Sequence, residues 1–210
     1  MSNNNIVERL DGIPAAQGGY LTRAQASDCG VEDLELHRAA RKGFINRVAH
    51  GVYRVAGAPS DRLQELRIAW LRLQPAATPR ERVVRPRIWV SHESAANVHG
   101  YGVFLSDVPT FISSQRLQSS KKVKIYRRSK GLSRSEWTII DGFAVTGVDR
   151  TAADLFAKGV DGGYLGRFMN DAIAAGSSDP ERMRLAMGAT VDDFAALIEM
   201  SAPVEGGSIV

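Results

Sequence analysis

The residues best suited to contact a ligand lie in the short segment 32–42, which ends in four side chains that carry or can acquire positive charge. These side chains are His37, Arg38, Arg41 and Lys42. Guanidinium and ammonium groups neutralise phosphates, and arginine can also pair with the acceptor atoms of guanine. The acids Glu32, Asp33 and Glu35 precede them, which counts against a close approach of the first turn to phosphate. The spacing predicts a nucleic-acid contact near the end of the segment, with His37 and Glu35 as further candidates for reading bases.

Three predicted helices and a hairpin position these cations. A first helix around Ile6 to Leu10 stops at Asp11-Gly12, and a second covers 23–28 with Thr22 as its N-cap. The third covers 32–42 and ends at a glycine, after which residues 44–55 alternate around a turn at His50-Gly51. A helix-turn-helix places its second helix in the major groove, and a following hairpin can lie along the backbone. We therefore predict a winged helix-turn-helix domain in residues 1–57.

The second helix, the third helix and the wing of this domain carry the residues that we expect to contact DNA. The predicted DNA-binding residues are Thr22, Arg23, His37, Arg38, Arg41, Lys42, Arg47, His50 and Arg54. Side chains of these types contact phosphates and base edges in such domains. A second interpretation stays open, in which the third helix presents an ordinary solvated face and the domain binds protein.

The rest of the chain predicts a larger domain in residues 58–204, with a flexible tail at 205–210. After a linker at Ala58-Pro59 and a helix at 61–73, residues 74–87 are rich in Pro and Arg and predict an exposed loop. Short apolar runs predict strands at 88–90, 110–112, 123–127, 137–140 and 143–146, and four helices follow. The predicted fold class is α/β (α+β), with a winged helix-turn-helix followed by a mixed sheet and a helical C-terminal part.

A basic stretch from Arg116 to Arg134 contains eight basic residues and no acidic one. Its candidate ligand-binding side chains are Lys121, Lys122, Lys124, Arg127, Arg128 and Lys130. Three interpretations are open: a second nucleic-acid surface, a docking surface for an acidic partner, or an edge strand guarded by lysines against aggregation. The last part of the chain is acidic, so the net charge of +4 hides an uneven distribution.

Catalytic and metal sites are not expected. His92, Glu93 and His99 are the only candidates for an enzyme constellation, but His92 and His99 lack the i, i+4 spacing of a zinc helix. Helix-end histidines of this kind ordinarily cap or pack. Cys29 is the single cysteine, which excludes a disulfide within the chain and a cysteine-rich zinc site. We predict no cofactor, no signal peptide and no membrane span, hence a cytoplasmic protein.

Four segments give the chain a family resemblance. They are Gly19-Tyr20-Leu21-Thr22-Arg23-Ala24-Gln25-Ala26, then 43–53, then Val90-Ser91-His92-Glu93-Ser94-Ala95-Ala96-Asn97-Val98-His99-Gly100, and 145–155. In this order the chain resembles the AbiEi-type antitoxins of bacterial type IV toxin-antitoxin and abortive-infection systems. The resemblance implies an N-terminal winged helix that represses its own operon and a C-terminal α/β domain that neutralises a nucleotidyltransferase-like toxin.

The sequence thus leads to one expected function and two competing ones. We expect a cytoplasmic antitoxin, a monomer or weak dimer, whose partners are double-stranded operator DNA and a nucleotidyltransferase-like toxin. The first competitor is a protein-interaction module whose winged helix does not bind DNA and whose basic strand docks an acidic partner. The second, a nucleic-acid enzyme, would require His92 and Glu93 to converge with a further carboxylate.

Overall fold

The structure, a computed structural model, describes residues 6, 9–10, 12–104 and 108–200. It divides into two compact units, one of residues 1–86 with 141–143 and one of residues 87–140 with 144–210. The structural boundary after Pro86 therefore lies later in the chain than the predicted functional boundary after Gly57, which stays a prediction. The predicted tail at 205–210 lies outside the described residues.

The first unit contains the predicted helix-turn-helix and wing, with additional elements on either side. Its helices are α1 (Ile13–Ala16), α2 (Arg23–Asp28), α3 (Asp33–Arg41), α4 (Gln64–Leu73) and α5 (Pro79–Val84), and its strands are β1 (Tyr20–Thr22), β2 (Ile45–Ala49) and β3 (Val52–Val55). The strands form an antiparallel sheet in the order β1-β3-β2. Strand β1 was not expected, because its three buried residues carry no alternation.

Local side-chain chemistry explains where these helices begin and end. Thr22 caps α2, since its hydroxyl accepts the Gln25 N–H at 3.1 Å while the Gln25 amide oxygen accepts the Thr22 N–H at 3.0 Å. After α3, Gly43 takes a φ of 76°, which ends the helix, and Gly51 takes a φ of 71° at the wing turn. The apolar faces then pack into one core around Leu10, Leu21, Leu36 and Ile45. The second and third predicted helices and the hairpin are confirmed, whereas most of the predicted first helix at Ile6 to Leu10 lies outside the described residues.

Residues 74–87 do not form the predicted loop. Thr78 caps α5 by accepting the Glu81 N–H at 3.2 Å, and Pro79 occupies the first turn, where proline fits a helix. The side chain of Arg82 is buried beneath the ring of Trp70, with its guanidinium 4.8 Å from the ring centroid. The loop prediction is wrong because Pro and Arg do not always mark exposed loops: Pro79 starts a helix and Arg82 lies in the core.

The second unit is a mixed sheet covered by helices, as predicted. Its strands are β4 (Ile88–Val90), β5 (Thr110–Ser113), β6 (Lys124–Arg127), β7 (Trp137–Ile140) and β8 (Phe143–Thr146), and its helices are α6 (His92–His99), α7 (Val148–Lys158), α8 (Gly162–Ala174), α9 (Pro180–Met187) and α10 (Val191–Met200). The sheet order is β6-β5-β4-β8-β7. Strand β4 pairs antiparallel with β5 and parallel with β8, and β6 runs parallel to β5 at one edge.

Turn and cap residues again account for the local structure. Asp141 and Gly142 have φ values of 50° and 78°, the left-handed pair that a two-residue hairpin turn requires between β7 and β8. The Thr190 hydroxyl accepts the Asp193 N–H at 3.1 Å and so caps α10. Helices α7 to α10 enclose a core that includes Leu155 and Phe168. Within the described residues, none of the helices has the length and apolar character that a bilayer span requires.

Candidate nucleic-acid interface

A cleft between α3 and the wing brings four of the predicted DNA-binding residues together. This helix-wing cleft has a volume of about 180 Å³ and is lined by Arg23, Asp33, His37, Arg47, His50, Gly51 and Tyr53. Its residues come from the start of α2, from α3, and from both sides of the wing turn. Side chains that are up to 30 positions apart in the chain thus face one space, which is open to solvent at exposed Arg23, His37 and Arg47.

Arg23, which lines the helix-wing cleft, is paired with an acid of the same protein. Its guanidinium forms a two-pronged ion pair with the carboxylate of Asp33, the first residue of α3. The hydrogen bonds from Arg23 to Asp33 raise the pKa of the arginine above its ordinary value. Both side chains are about 61% exposed, so water screens the pair and its contribution to stability is small. Asp33 therefore competes with any phosphate for Arg23.

A second acid at the start of α3 is also engaged within the protein. Glu35 accepts a hydrogen bond of 2.8 Å from Arg9 and one of 2.9 Å from the Glu32 N–H. The backbone hydrogen bond at Glu32 and the ion pair with Arg9 lower the pKa of Glu35 below its ordinary value. Glu35 thus fixes the first turn of α3, which leaves it poorly placed for its predicted role of reading a base.

The far end of α3 carries the cations that are most accessible. Arg38, Arg41 and Lys42 are all exposed, and within the part of the chain that the structure describes they make no ion pair. Leu36 and Ala39 on the opposite side are buried in the core of the first unit. The helix therefore presents an apolar face to the protein and a cationic end to solvent, with its acids confined to the first turn.

The wing contributes two exposed polar side chains and one that is held elsewhere. A guanidinium nitrogen of Arg47 lies 3.1 Å from Nδ1 of His50, which links the strand to the wing turn. Arg54 lies 5.1 Å from the ring centroid of Tyr20 and donates a hydrogen bond to the carbonyl of Pro59. The structure thus gives Arg54 a packing role, while Arg47 and His50 face the helix-wing cleft.

Thr22 is buried, so its predicted place in the interface is indirect. Besides capping α2, its hydroxyl donates a hydrogen bond to the carbonyl of Pro75. The neighbouring Gln25 donates to the carbonyl of Ala77 at 2.7 Å and to Gln17 at 3.0 Å. These bonds tie the start of the helix-turn-helix to the loop after α4, and they hold Arg23 in position.

A larger cleft lies on the other side of the wing turn. This wing-α4 cleft has a volume of about 540 Å³ and is lined by Thr22, Arg23, Ala24, Ser27, His50, Gly51, Val52, Arg72 and Pro75. It shares Arg23 and His50 with the helix-wing cleft and adds Arg72, an exposed residue in the last turn of α4. Sequence reasoning missed Arg72, since the only signal was its place on the polar side of an amphipathic helix.

The second basic surface is spread over an edge strand and its flanking loops. Lys124 and Arg127 on β6 are exposed, as are Lys121, Lys122 and Lys130 outside the strand. Arg128 differs from them, because it is partly buried and forms a 2.9 Å ion pair with Glu136. Lys124 lies 5.2 Å from the ring centroid of Tyr126. The edge position fits all three interpretations of this surface, and the geometry does not separate them.

His92 and Glu93 occupy structural positions in the second unit. His92 is buried, stacks on Tyr126 at a centroid distance of 4.0 Å, and lies within 2.9 Å of the Ser91 hydroxyl. Burial lowers the pKa of His92 to about 4. Burial acts to raise the pKa of Glu93, but the ion pair with Lys158 outweighs it and the net pKa is lowered. His92 is thus a neutral, packed histidine at neutral pH.

The other helix-end histidine, His99, also has a partner within the protein. His99 lies 2.8 Å from the carbonyl of Thr146 through Nε2, which explains it as a packing residue. Across the described ranges, no group of three or more His, Cys, Asp or Glu side chains is arranged to hold a metal ion. His92 also takes a φ of 52°, a conformation rare for a residue other than glycine, at the start of α6.

The motif Asp149-Arg150-Thr151 at a strand-to-helix junction predicts that Asp149 caps the helix and that Arg150 pairs with Asp154. Arg150 pairs with Asp154 four residues on at 2.7 Å, as expected, and also with Glu136 at 2.8 Å. Asp149 does not cap α7, because Gly147 holds that position. Instead its carboxylate accepts hydrogen bonds from Ser178 and from Arg182, the latter at 2.7 Å, and so links α7 to α9. Helix capping is the wrong role because α7 begins at Val148, so Asp149 already lies within its first turn.

Comparison with known proteins supports the N-terminal interpretation most directly. Residues 14–56 match the model of a family described as transcriptional regulators, AbiEi antitoxin, which confirms the resemblance for the N-terminal region. The crystal structure of the RV2827C protein from Mycobacterium tuberculosis is similar in fold, with a TM-score of 0.53 and 13% identity. That similarity covers 94% of this chain and 78% of the other, and at this identity it concerns the fold alone. No curated protein matches the chain.

Proposed function

We propose that this protein is an antitoxin that binds operator DNA through its winged helix, represses its own operon, and counteracts a nucleotidyltransferase-like toxin. The observation that carries the proposal is the convergence of Arg23, His37, Arg47 and His50 on the helix-wing cleft. The family match at residues 14–56 ends with the wing and so covers the same elements.

DNA binding would follow from the distribution of charge along α3. Arg38, Arg41 and Lys42 lie at the accessible end of the helix, where they can reach phosphates and base edges in the major groove. Arg47 and His50 lie on the wing, where they can follow the backbone. The acids of the first turn are neutralised by Arg9 and Arg23, which reduces their repulsion of the phosphates. Phosphate contacts set the position of the domain, and base contacts by the arginines supply the sequence preference.

Neutralisation of the toxin is the part of the proposal that belongs to residues beyond the wing. Its support is the family's description as antitoxins, together with a second unit that carries exposed cations at a sheet edge. We expect the toxin to be nucleotidyltransferase-like, whether it is bound directly or opposed at its product. We also expect the free protein to be a monomer or weak dimer, with repeated operator half-sites bringing two copies together on DNA.

The proposal is tested by a gel-shift titration on the DNA upstream of the protein's own gene, against an unrelated fragment of equal length, at two salt concentrations. Binding to the upstream fragment at least a thousandfold tighter than to the control, at physiological salt, would support a sequence-reading repressor. Equal and weak binding to both fragments would contradict it. Co-expression with a nucleotidyltransferase-like toxin tests the second half of the proposal separately, through rescue of growth.

A competing function is favoured by one feature, the ion pair that occupies Arg23. If Asp33 holds that cation permanently, the winged helix presents a charge-balanced surface and is better suited to a protein partner. The lysines of the basic stretch would then dock an acidic segment of that partner. A chain that fails to bind DNA but is retained by the purified toxin through these lysines would establish this alternative.

A further inference from the structure

Hydrogen bonds from a buried arginine hold the end of α4 in place. Arg82 is buried and donates hydrogen bonds to the carbonyls of Trp70 and Leu71, each at 3.3 Å, and to that of Gln74. These carbonyls end α4 and lack partners within the helix, so Arg82 acts as an internal cap for them. Burial lowers the pKa of Arg82 to about 10, which still leaves the side chain charged at neutral pH.

The segment between α4 and α5 is also hydrogen-bonded to the start of α2. Thr22 donates to the carbonyl of Pro75, and Gln25 donates to the carbonyl of Ala77 at 2.7 Å. Both Thr22 and Gln25 are buried, so these hydrogen bonds are shielded from water. The segment that carries Arg72 is thereby held to the segment that carries Arg23, although the two are far apart in sequence.

These hydrogen bonds leave Arg72 exposed on the wall of the wing-α4 cleft. Among the described residues it makes no ion pair, unlike Arg23. The other cationic or titratable residues of that cleft are Arg23 and His50, and no carboxylate lines it. The cleft is therefore an open, acid-free space with two arginines and a histidine, which suits a phosphate of a nucleic-acid backbone. Asp33, which would compete with a phosphate for Arg23, lines the helix-wing cleft instead.

We infer that Arg72 contacts the DNA backbone on the far side of the wing, so that α4 belongs to the DNA-binding surface. The inference rests on the proposed function and extends it beyond the family match, which stops at residue 56. DNA would then be held on both sides of the wing turn, by the α3 cations and Arg47 on one side and by Arg72 on the other. Residues 58–86 would serve DNA binding instead of the toxin-neutralising part to which the sequence assigned them.

The test compares Arg72→Ala with the matched variant Arg80→Ala in the full chain. Arg80 is an exposed arginine of the same unit, on α5, and lines neither cleft. One lost phosphate contact should weaken binding to the upstream fragment about fivefold at 0.15 M salt and reduce the slope of log Kd against log salt by about 0.9. Arg72→Lys should retain most of the affinity, since a phosphate contact needs charge more than a bidentate geometry.

The outcomes separate this inference from the function on which it rests. If the wild-type protein binds its upstream DNA specifically but Arg72→Ala matches Arg80→Ala in affinity and salt slope, the inference is overturned and the proposed function stands. If the wild-type protein shows no specific binding, both are overturned. Thermal unfolding of each variant checks that the fold is retained, and an exposed arginine without partners should change stability little.

Discussion

The hydroxyl of Thr22 donates a hydrogen bond to the carbonyl of Pro75, a residue 53 positions later in the chain. The same hydroxyl accepts the N–H of Gln25 and so caps α2. One buried side chain therefore does two tasks: it starts the helix-turn-helix and joins it to the end of α4. Thr22, which the sequence assigns to the DNA surface, thus stabilises the packing of the first unit.

Replacement of Thr22 by alanine should destabilise the first unit. The change removes a helix cap and leaves the Pro75 carbonyl without this partner, so we expect a loss of about 1–3 kcal/mol in the free energy of unfolding. Thr22→Ser keeps the hydroxyl and is the matched control. Urea unfolding followed by circular dichroism measures both. Equal stability of the alanine and serine variants would show that the hydrogen bonds contribute nothing net.

Loss of the cations at the end of α3 should weaken operator binding. Arg38 and Arg41 are exposed and make no ion pair in the described part of the chain, so Arg38→Ala with Arg41→Ala should reduce affinity at least tenfold without changing stability. The matched control is Arg80→Ala with Arg85→Ala, which removes the same charge from an exposed part of the same unit. Fluorescence anisotropy with labelled upstream DNA gives the affinities. An unchanged affinity would refute the assignment of α3 as the recognition helix.

Removal of the acid beside Arg23 should strengthen DNA binding. Asp33→Asn abolishes a negative charge in the helix-wing cleft and frees the Arg23 guanidinium, so we expect affinity to rise about threefold to tenfold at low salt. Asp28→Asn is the control, since Asp28 is an exposed acid at the end of α2 that lines neither cleft. A gain of the same size in both variants would mean that only net charge matters.

The basic stretch can be tested by neutralising three exposed lysines together. If Lys121, Lys122 and Lys124 contact phosphate, their replacement by glutamine should lower the salt slope of DNA binding by two to three. A docking surface would instead lose association with the toxin while DNA binding is kept. An edge guard would keep both functions and lose solubility at high protein concentration. The three interpretations therefore predict three different readouts for one variant.

Stability should fall as the pH drops below neutral, in part because of His92. Burial lowers its folded pKa to about 4 from 6.5, so the unfolded chain binds the proton more readily between these values and acid favours unfolding. For this group alone we expect a loss of about 2 kcal/mol between pH 7 and pH 5. Glu93, Lys124, Arg150 and Lys158 are the charged groups that influence it.

The variant His92→Asn isolates this contribution, because asparagine tolerates the left-handed backbone at this position and does not titrate. Its free energy of unfolding should vary less with pH than that of the wild type between pH 7 and pH 5. Urea titrations at four pH values give both slopes. His99 has a lowered pKa too, so some pH dependence should persist in the variant. Identical slopes in the two proteins would contradict the prediction.

Features that depend on neighbours along the chain could be predicted from the sequence. Thr22 predicts the cap of α2, and Asp141-Gly142 predicts the hairpin turn, because caps and turns are decided by hydrogen bonds and φ values within a few residues. The alternation of residues 44–55 gives the wing in the same way. These local signals were sufficient for the winged helix-turn-helix and for the mixed α/β fold class.

Which charged residues remain available to a ligand depends on contacts between elements that are distant in the chain. The sequence assigns Arg23 and Arg54 to the DNA surface, yet Arg23 is paired with an acid and Arg54 packs on Tyr20. It places Arg82 in an exposed loop and gives Arg72 no role, yet Arg82 is buried under Trp70 and Arg72 is exposed on a cleft. The difference arises from partners distant in sequence, whose positions depend on the packing of whole elements. The burial of a charge is set by that packing, and no local pattern records it.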